Sequence, residues 1–168
     1  PDLAWWLAML AWVLGGAWLL RGGPACWPAI PAALRWGLGL LLLWTAWLAL
    51  AHARTMGINF ILSVFCLVWV SDIAAYFGGR AFGRRKLALA ISPGKSWEGV
   101  WSGMLAVLVV AWLWASFIDG RAGVDSSSIY THLAQRMGVA GTALALVFLA
   151  AMGVVGDLVE SLVKRSAG

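Results

Sequence analysis

Five long apolar runs, separated by short polar stretches, organise the chain: roughly Leu3–Leu20, Leu34–Ala51, Ile58–Phe77, Val100–Ile118 and Val139–Gly156. Each is near the roughly 20 residues that cross a bilayer as a helix. Backbone groups in lipid must be hydrogen-bonded within the protein, which leaves helices or a closed barrel. Barrel strands would alternate polar and apolar over about ten residues, and these runs are apolar without alternation. The pattern predicts an all-α polytopic integral membrane helix bundle of five spans, with residues 1–168 as a single membrane domain. No basic segment precedes Leu3–Leu20, so this run reads as a span and not as a signal peptide.

Composition agrees: 62% hydrophobic residues, 11% charged and a mean hydropathy of +0.87 exclude an ordinary soluble domain. Thirteen Trp stand against two Tyr. Trp5, Trp6, Trp36 and Trp101 fall near span ends, where indole favours the lipid–water boundary. Trp12, Trp69 and Trp112 fall mid-span and are expected to pack between helices. Cys26 and Cys66 lack metal-site spacing and read as small apolar residues.

The net charge of +5 would suggest nucleic acid in a soluble protein. Here the bases lie in short connectors, so they report membrane orientation. Stretches 21–35, 78–98 and 157–168 carry nine Lys and Arg, against three (Arg54, Arg121 and Arg136) on the other side. The nine-base side is expected to be cytoplasmic, with 78–98 a cytoplasmic basic loop, 157–168 a cytoplasmic helix, Pro1 outside and Gly168 inside. A nucleic-acid partner is not expected. His52 and His132, placed in outer loops, have no partners suggesting a ligand role, and no chemistry is evident in Asp119–Arg136.

Three polar elements converge on the basic side. Asp72 lies inside the third span, where a carboxylate is costly unless paired or facing a wet cavity; it marks a functional site, an interhelical hydrogen bond or a pairing with an Arg near the interface. The loop from Gly78 to Glu98 carries Arg84-Arg85-Lys86 and Ser92-Pro93-Gly94-Lys95-Ser96 just before a helix start, an arrangement suited to anions or to anionic lipid head groups. It is not a Walker loop, since position 89 is Leu where that motif requires Gly. On the closing helix Asp157, Glu160, Ser161, Lys164 and Arg165 share one face, with Leu158, Val159, Leu162 and Val163 on the other. Such a face can hold a divalent cation and its phosphates, although Glu160 and Lys164 also have the spacing of a simple surface pair. Gly99 and Gly103 form a small-xxx-small pattern for close helix packing.

Together these elements resemble the CTP:phosphatidate cytidylyltransferases, the CDP-diacylglycerol synthases. The resemblance runs from about Val70 to Gly168 and rests on Ser71-Asp72, Ala75-Tyr76, Gly79-Arg80 and Phe82-Gly83. It continues through Ser92-Pro93-Gly94-Lys95-Ser96-Trp97-Glu98-Gly99, then Gly156-Asp157-Leu158, Glu160-Ser161 and Lys164-Arg165. Residues 1–69 match only as apolar spans. The resemblance implies a homodimeric, multi-pass enzyme of a bacterial inner membrane that joins CTP and phosphatidate into CDP-diacylglycerol and releases pyrophosphate. It implies magnesium, with room for a second metal ion, held by Asp157 with Glu160 beside it. It also implies catalytic roles for Asp157, Lys164, Arg165 and Asp72, and substrate binding by Ser92, Gly94, Lys95, Ser96 and Ser161.

After the Lys-Arg pair the family continues to a Lys-Asp, a Pro-Gly-His-Gly-Gly run and an Asp-Arg. These lie outside the 168 residues, so this stretch alone is expected to be inactive. A CTP-dependent lipid kinase acting on a polyprenol, dolichol or phytol is a second reading. A transporter or channel piece using Asp72 as an ion site is a third; it would call for polar residues deep in several spans.

Overall fold

The computed structural model describes residues 2–166. Its order is α1 (Asp2–Gly22), α2 (Cys26–Ala29), α3 (Ala32–Met56), α4 (Ile58–Phe82), β1 (Lys86–Ala88), β2 (Ser92–Ser96), α5 (Trp97–Phe117) and α6 (Ile129–Ser166). All five expected runs are helical. Among the described residues α3, α4, α5 and α6 are long and apolar enough to cross a membrane, and the protein is a multi-pass membrane protein. At about 1.5 Å per residue the 21 residues of α1 reach about 31 Å, close to the roughly 30 Å hydrocarbon core. Of the closing helix expected over 157–168, positions 167 and 168 lie outside the described residues, as does Pro1.

The helices are longer than the apolar runs that predict them. α4 continues to Phe82 and α5 begins at Trp97, so the stretch 78–98 is not one loop. It comprises a helix end, an antiparallel hairpin pairing Lys86 with Ser96 and Ala88 with Ser92, and a helix start. A three-residue strand in a basic segment carries no readable period, which is why hydropathy missed it. α6 merges two helices across Gly138, whose φ of 70° favours glycine. The first of them places His132 on a helix, as α3 does His52.

α4 and α5 form the centre of the bundle. The buried side of α4 is Asn59, Ser63, Leu67, Ser71 and Gly78, while α5 buries Gly99, Gly103, Val107 and Ala111. Both series step by about four residues or a multiple of it, and small side chains face one another where Ser71, Ala75 and Gly79 meet Gly99 and Gly103. A Cβ on Gly103 would lie 2.8 Å from the Ser71 carbonyl oxygen, and one on Gly99 would lie 2.7 Å from that of Ala75. The expected close packing is therefore backbone against backbone. A core of Leu67, Val107, Ala111, Tyr130, Leu146 and Ala150 joins α6 to this pair.

α3 buries no residue at all. Trp69 and Trp112, expected between helices, are 61% and 64% exposed. They belong to the apolar outer surface; it is Trp114 that packs between helices, donating through Nε1 to the Asn59 side-chain oxygen at 3.0 Å.

The two ends of the bundle differ. At one end Asp119 accepts hydrogen bonds from Asn59, from the hydroxyls of Ser128 and Thr131, and from the Ser128 amide. Asp125 accepts the Ile58 and Asn59 amides, capping α4. Burial alone would push the Asp119 carboxyl up, but the donors of Ser128, Thr131 and Asn59 outweigh it and hold it below the usual range. The Asn59 and Ile58 amides do the same for Asp125. The polar 119–136 stretch is thus a clasp over the helix ends. At the other end Ile91, Leu158 and Leu162 form a second core with Leu20, Trp27, Leu87 and Val163. This core seats the hairpin on α6 and gathers the base-rich stretches at one end.

Candidate active site

The hairpin is held from three directions. The Ser96 hydroxyl caps α5 by accepting the Gly99 amide at 3.2 Å. Two residues on, the Glu98 carboxylate accepts the amides of Arg84 and Arg85, each at 3.2 Å, so the acid at the helix start fixes the basic segment leaving α4. Arg165 on the last turn of α6 donates through Nε to the Ile91 carbonyl. An acid near a helix N-terminus and a base near a C-terminus also complement the helix dipoles.

These restraints shape a cleft of about 600 Å³ between α4, the hairpin and α6. α4 contributes Asp72, Tyr76 and Arg80, spaced by four residues on one face, with the small Ala75 and Gly79 beside them. The hairpin contributes Lys86, Ser92, Gly94, Lys95 and Ser96. Asp157 enters from α6, and its Oδ2 lies 2.6 Å from Lys95 Nζ. Two carboxylates and three bases therefore face one volume. A second cleft of about 330 Å³, lined by Ile91, Ser161, Lys164 and Arg165, shares Ser92 with the first.

Asp72, Ser92, Gly94, Lys95, Ser96 and Asp157 thus come together although the chain separates them widely. Ser161, Lys164 and Arg165 line the neighbouring cleft, and Arg165 also anchors the hairpin. Glu160 lines neither cleft: it pairs with Lys164 at 2.5 Å, both side chains well exposed. No group of three or more His, Cys, Asp or Glu suited to a metal occurs among the described residues. The donor set nevertheless fits a cation shared with phosphate oxygens, which needs only one or two protein carboxylates. The Lys95 ammonium already stands as a positive charge on Asp157.

Residues 3–168 match the profile described as the Cytidylyltransferase family. The chain belongs to that family. It is 42% identical over 117 residues to the phosphatidate cytidylyltransferase of Haemophilus influenzae, an alignment covering 70% of this chain and 37% of that protein. It is 40% identical over 136 residues to the phosphatidate cytidylyltransferase of Pseudomonas aeruginosa, covering 80% and 45%. A third relative of the same name, from Staphylococcus saprophyticus, is 34% identical over 119 residues, covering 71% and 40%. The chain spans less than half the length of these relatives. No solved structure matches it.

Within the first cleft, Tyr76, Arg80 and Lys86 were not among the residues expected to act. Tyr76 and Arg80 follow Asp72 at four-residue intervals, a helical signal present in the sequence. Lys86 carried none beyond its charge, because only the hairpin turns it toward the cleft.

Proposed function

We propose that the complete protein transfers the cytidylyl group of CTP to phosphatidate, forming CDP-diacylglycerol and pyrophosphate. The observation that carries this reading is the convergence of Asp72 and Asp157 with Arg80, Lys86 and Lys95 on one cleft at the end of a membrane bundle, in a chain of the cytidylyltransferase family. A lipid phosphate oxygen bonds to the α-phosphorus as the bond from that phosphorus to the α,β-bridging oxygen breaks. Pyrophosphate takes the electron pair. Positioning and charge stabilisation dominate such a transfer.

Lys95 and Ser92 are suited to hold the nucleotide phosphates, with Gly94 and Ser96 shaping the wall and Ser161, Lys164 and Arg165 extending the anion-binding surface. Asp157 and Asp72 would hold a divalent cation, magnesium in the simplest case, and Glu160 keeps Lys164 oriented. When bound, the cation neutralises the triphosphate and the departing pyrophosphate. The base-rich end of the bundle, which bears the cleft, faces the cytoplasm on the positive-inside argument. The same proposal places the protein in a bacterial inner membrane as a homodimer, testable by cross-linking in native membranes.

The deciding experiment supplies the complete protein with phosphatidate and CTP labelled at either the α- or the γ-phosphate. Label entering lipid from the α position only is expected. Transfer from the γ position would replace this reading by the lipid kinase, and transfer from neither position would remove it.

A further inference from the structure

Lys95 is paired with Asp157, but Arg80 and Lys86 have no carboxylate partner among the described residues. The Arg80 guanidinium makes one long contact, Nη1 to the Tyr76 hydroxyl at 3.4 Å, and both bases are exposed in the cleft. Two unpaired cations and a phenol, Arg80 and Tyr76 from α4 and Lys86 from β1, line one cleft and form a site for a doubly charged anion, and the planar guanidinium fork matches phosphate oxygens.

The chain below this wall indicates which phosphate. Leu62, Phe65, Trp69, Asp72, Tyr76 and Arg80 follow one another at intervals of three or four residues, so they form a single stripe along α4. Its lower part is apolar and exposed, with Leu62 at 48%, Phe65 at 37% and Trp69 at 61%. Phe65 and Trp69 stack with ring centroids 5.9 Å apart. One helix face thus runs from hydrocarbon-matching side chains to phosphate-matching ones. Lys95 and Ser92, by contrast, lie on a strand outside the membrane helices.

We infer that Arg80, Lys86 and Tyr76 form the subsite for the phosphate monoester of the lipid substrate, with an acyl chain along Leu62, Phe65 and Trp69. This rests on the cytidylyl-transfer reading above and divides the cleft: α4 with Lys86 of β1 takes the lipid, and β2 takes the nucleotide. Two cations answer the second charge of a monoester, so the subsite selects phosphatidate over phosphodiester lipids.

The test uses the complete protein in mixed micelles. Arg80→Gln is expected to raise the KM for phosphatidate about tenfold or more, the loss of a charge-assisted contact to phosphate, with the KM for CTP unchanged. Lys86→Gln should raise it less, and Arg80→Lys should recover part of the loss. Equilibrium binding of labelled CTP to Arg80→Gln should equal that of the wild type, which a merely unfolded variant would not show. A rise in the KM for CTP instead, or unchanged kinetics in both Arg80→Gln and Lys86→Gln, overturns the subsite. A phosphatidate with a mid-chain diazirine should label the 62–69 segment, and cross-linking of that segment to a second copy in its place would also overturn it. If wild-type protein moves no α-label to phosphatidate, both readings fall; with that transfer intact, the Arg80 variants decide the subsite alone.

Discussion

Lys95 Nζ and Asp157 Oδ2 lie 2.6 Å apart and tie the hairpin to the last helix across 62 residues of chain. The side chains are 25% and 48% exposed, so solvent screens the pair and its worth to stability is at most about 1 kcal/mol. Asp157→Asn in the complete protein should therefore shift the unfolding temperature little while lowering turnover roughly a hundredfold or more, about 2.7 kcal/mol of barrier. Exchanging the charges, Lys95→Asp with Asp157→Lys, should restore the attraction and leave turnover lost. Unfolding curves and CDP-lipid formation measured on the same preparations check both statements.

Gly103 has no room for a side chain. A Cβ there would meet the Ser71 carbonyl at 2.8 Å, with backbone on one side and a membrane helix on the other. Gly103→Val should cost about 1–3 kcal/mol through overpacking and weaken turnover by displacing Asp72, one residue beyond the contact. Gly37→Ala, where nothing lies within 4 Å, should be silent in the same denaturation assay.

At the opposite end, Asp119→Ala would leave Asn59, Ser128 and Thr131 without their shared acceptor. The expected loss is about 2–3 kcal/mol, the range for hydrogen bonds to a charged group. CTP affinity should persist in the folded fraction, because the clasp and the cleft occupy different ends of the bundle.

Asp119 and Asp125 both have carboxyls held below the usual range. Each therefore contributes stability that is fully present above its unfolded pKa, about 3.9, and is lost as pH falls through the lowered folded value. The unfolding temperature of the wild type should decline below about pH 4. A variant carrying Asp119→Asn with Asp125→Asn should begin lower and change less over that interval.

Arg165 holds the hairpin through the Ile91 carbonyl. Arg165→Gln should loosen it and speed tryptic cleavage after Arg85 and Lys86, since local opening governs such nicking. Digestion followed by mass spectrometry reads this directly. Lys164→Gln, which breaks only the exposed pair with Glu160, should leave the cleavage rate unchanged.

The linear pattern sufficed for the spans, because burial in lipid demands a continuous apolar helix and hydropathy records that demand residue by residue. The small-residue step at Gly99 and Gly103 likewise announced close packing, and the charged face of the last helix marked a candidate site. Folding alone settled which of those charges face one cleft. Asp157 and Glu160 lie three residues apart on one helical face, yet Asp157 lines the cleft and Glu160 turns to Lys164. Lys86 reaches the cleft only because a hairpin forms where no periodicity forecasts a strand. Asp119 finds its acceptor role through Asn59, sixty positions away. A helix face or a span follows from local spacing, whereas a cavity follows from which distant segments pack, and that choice is made by contacts no local window contains.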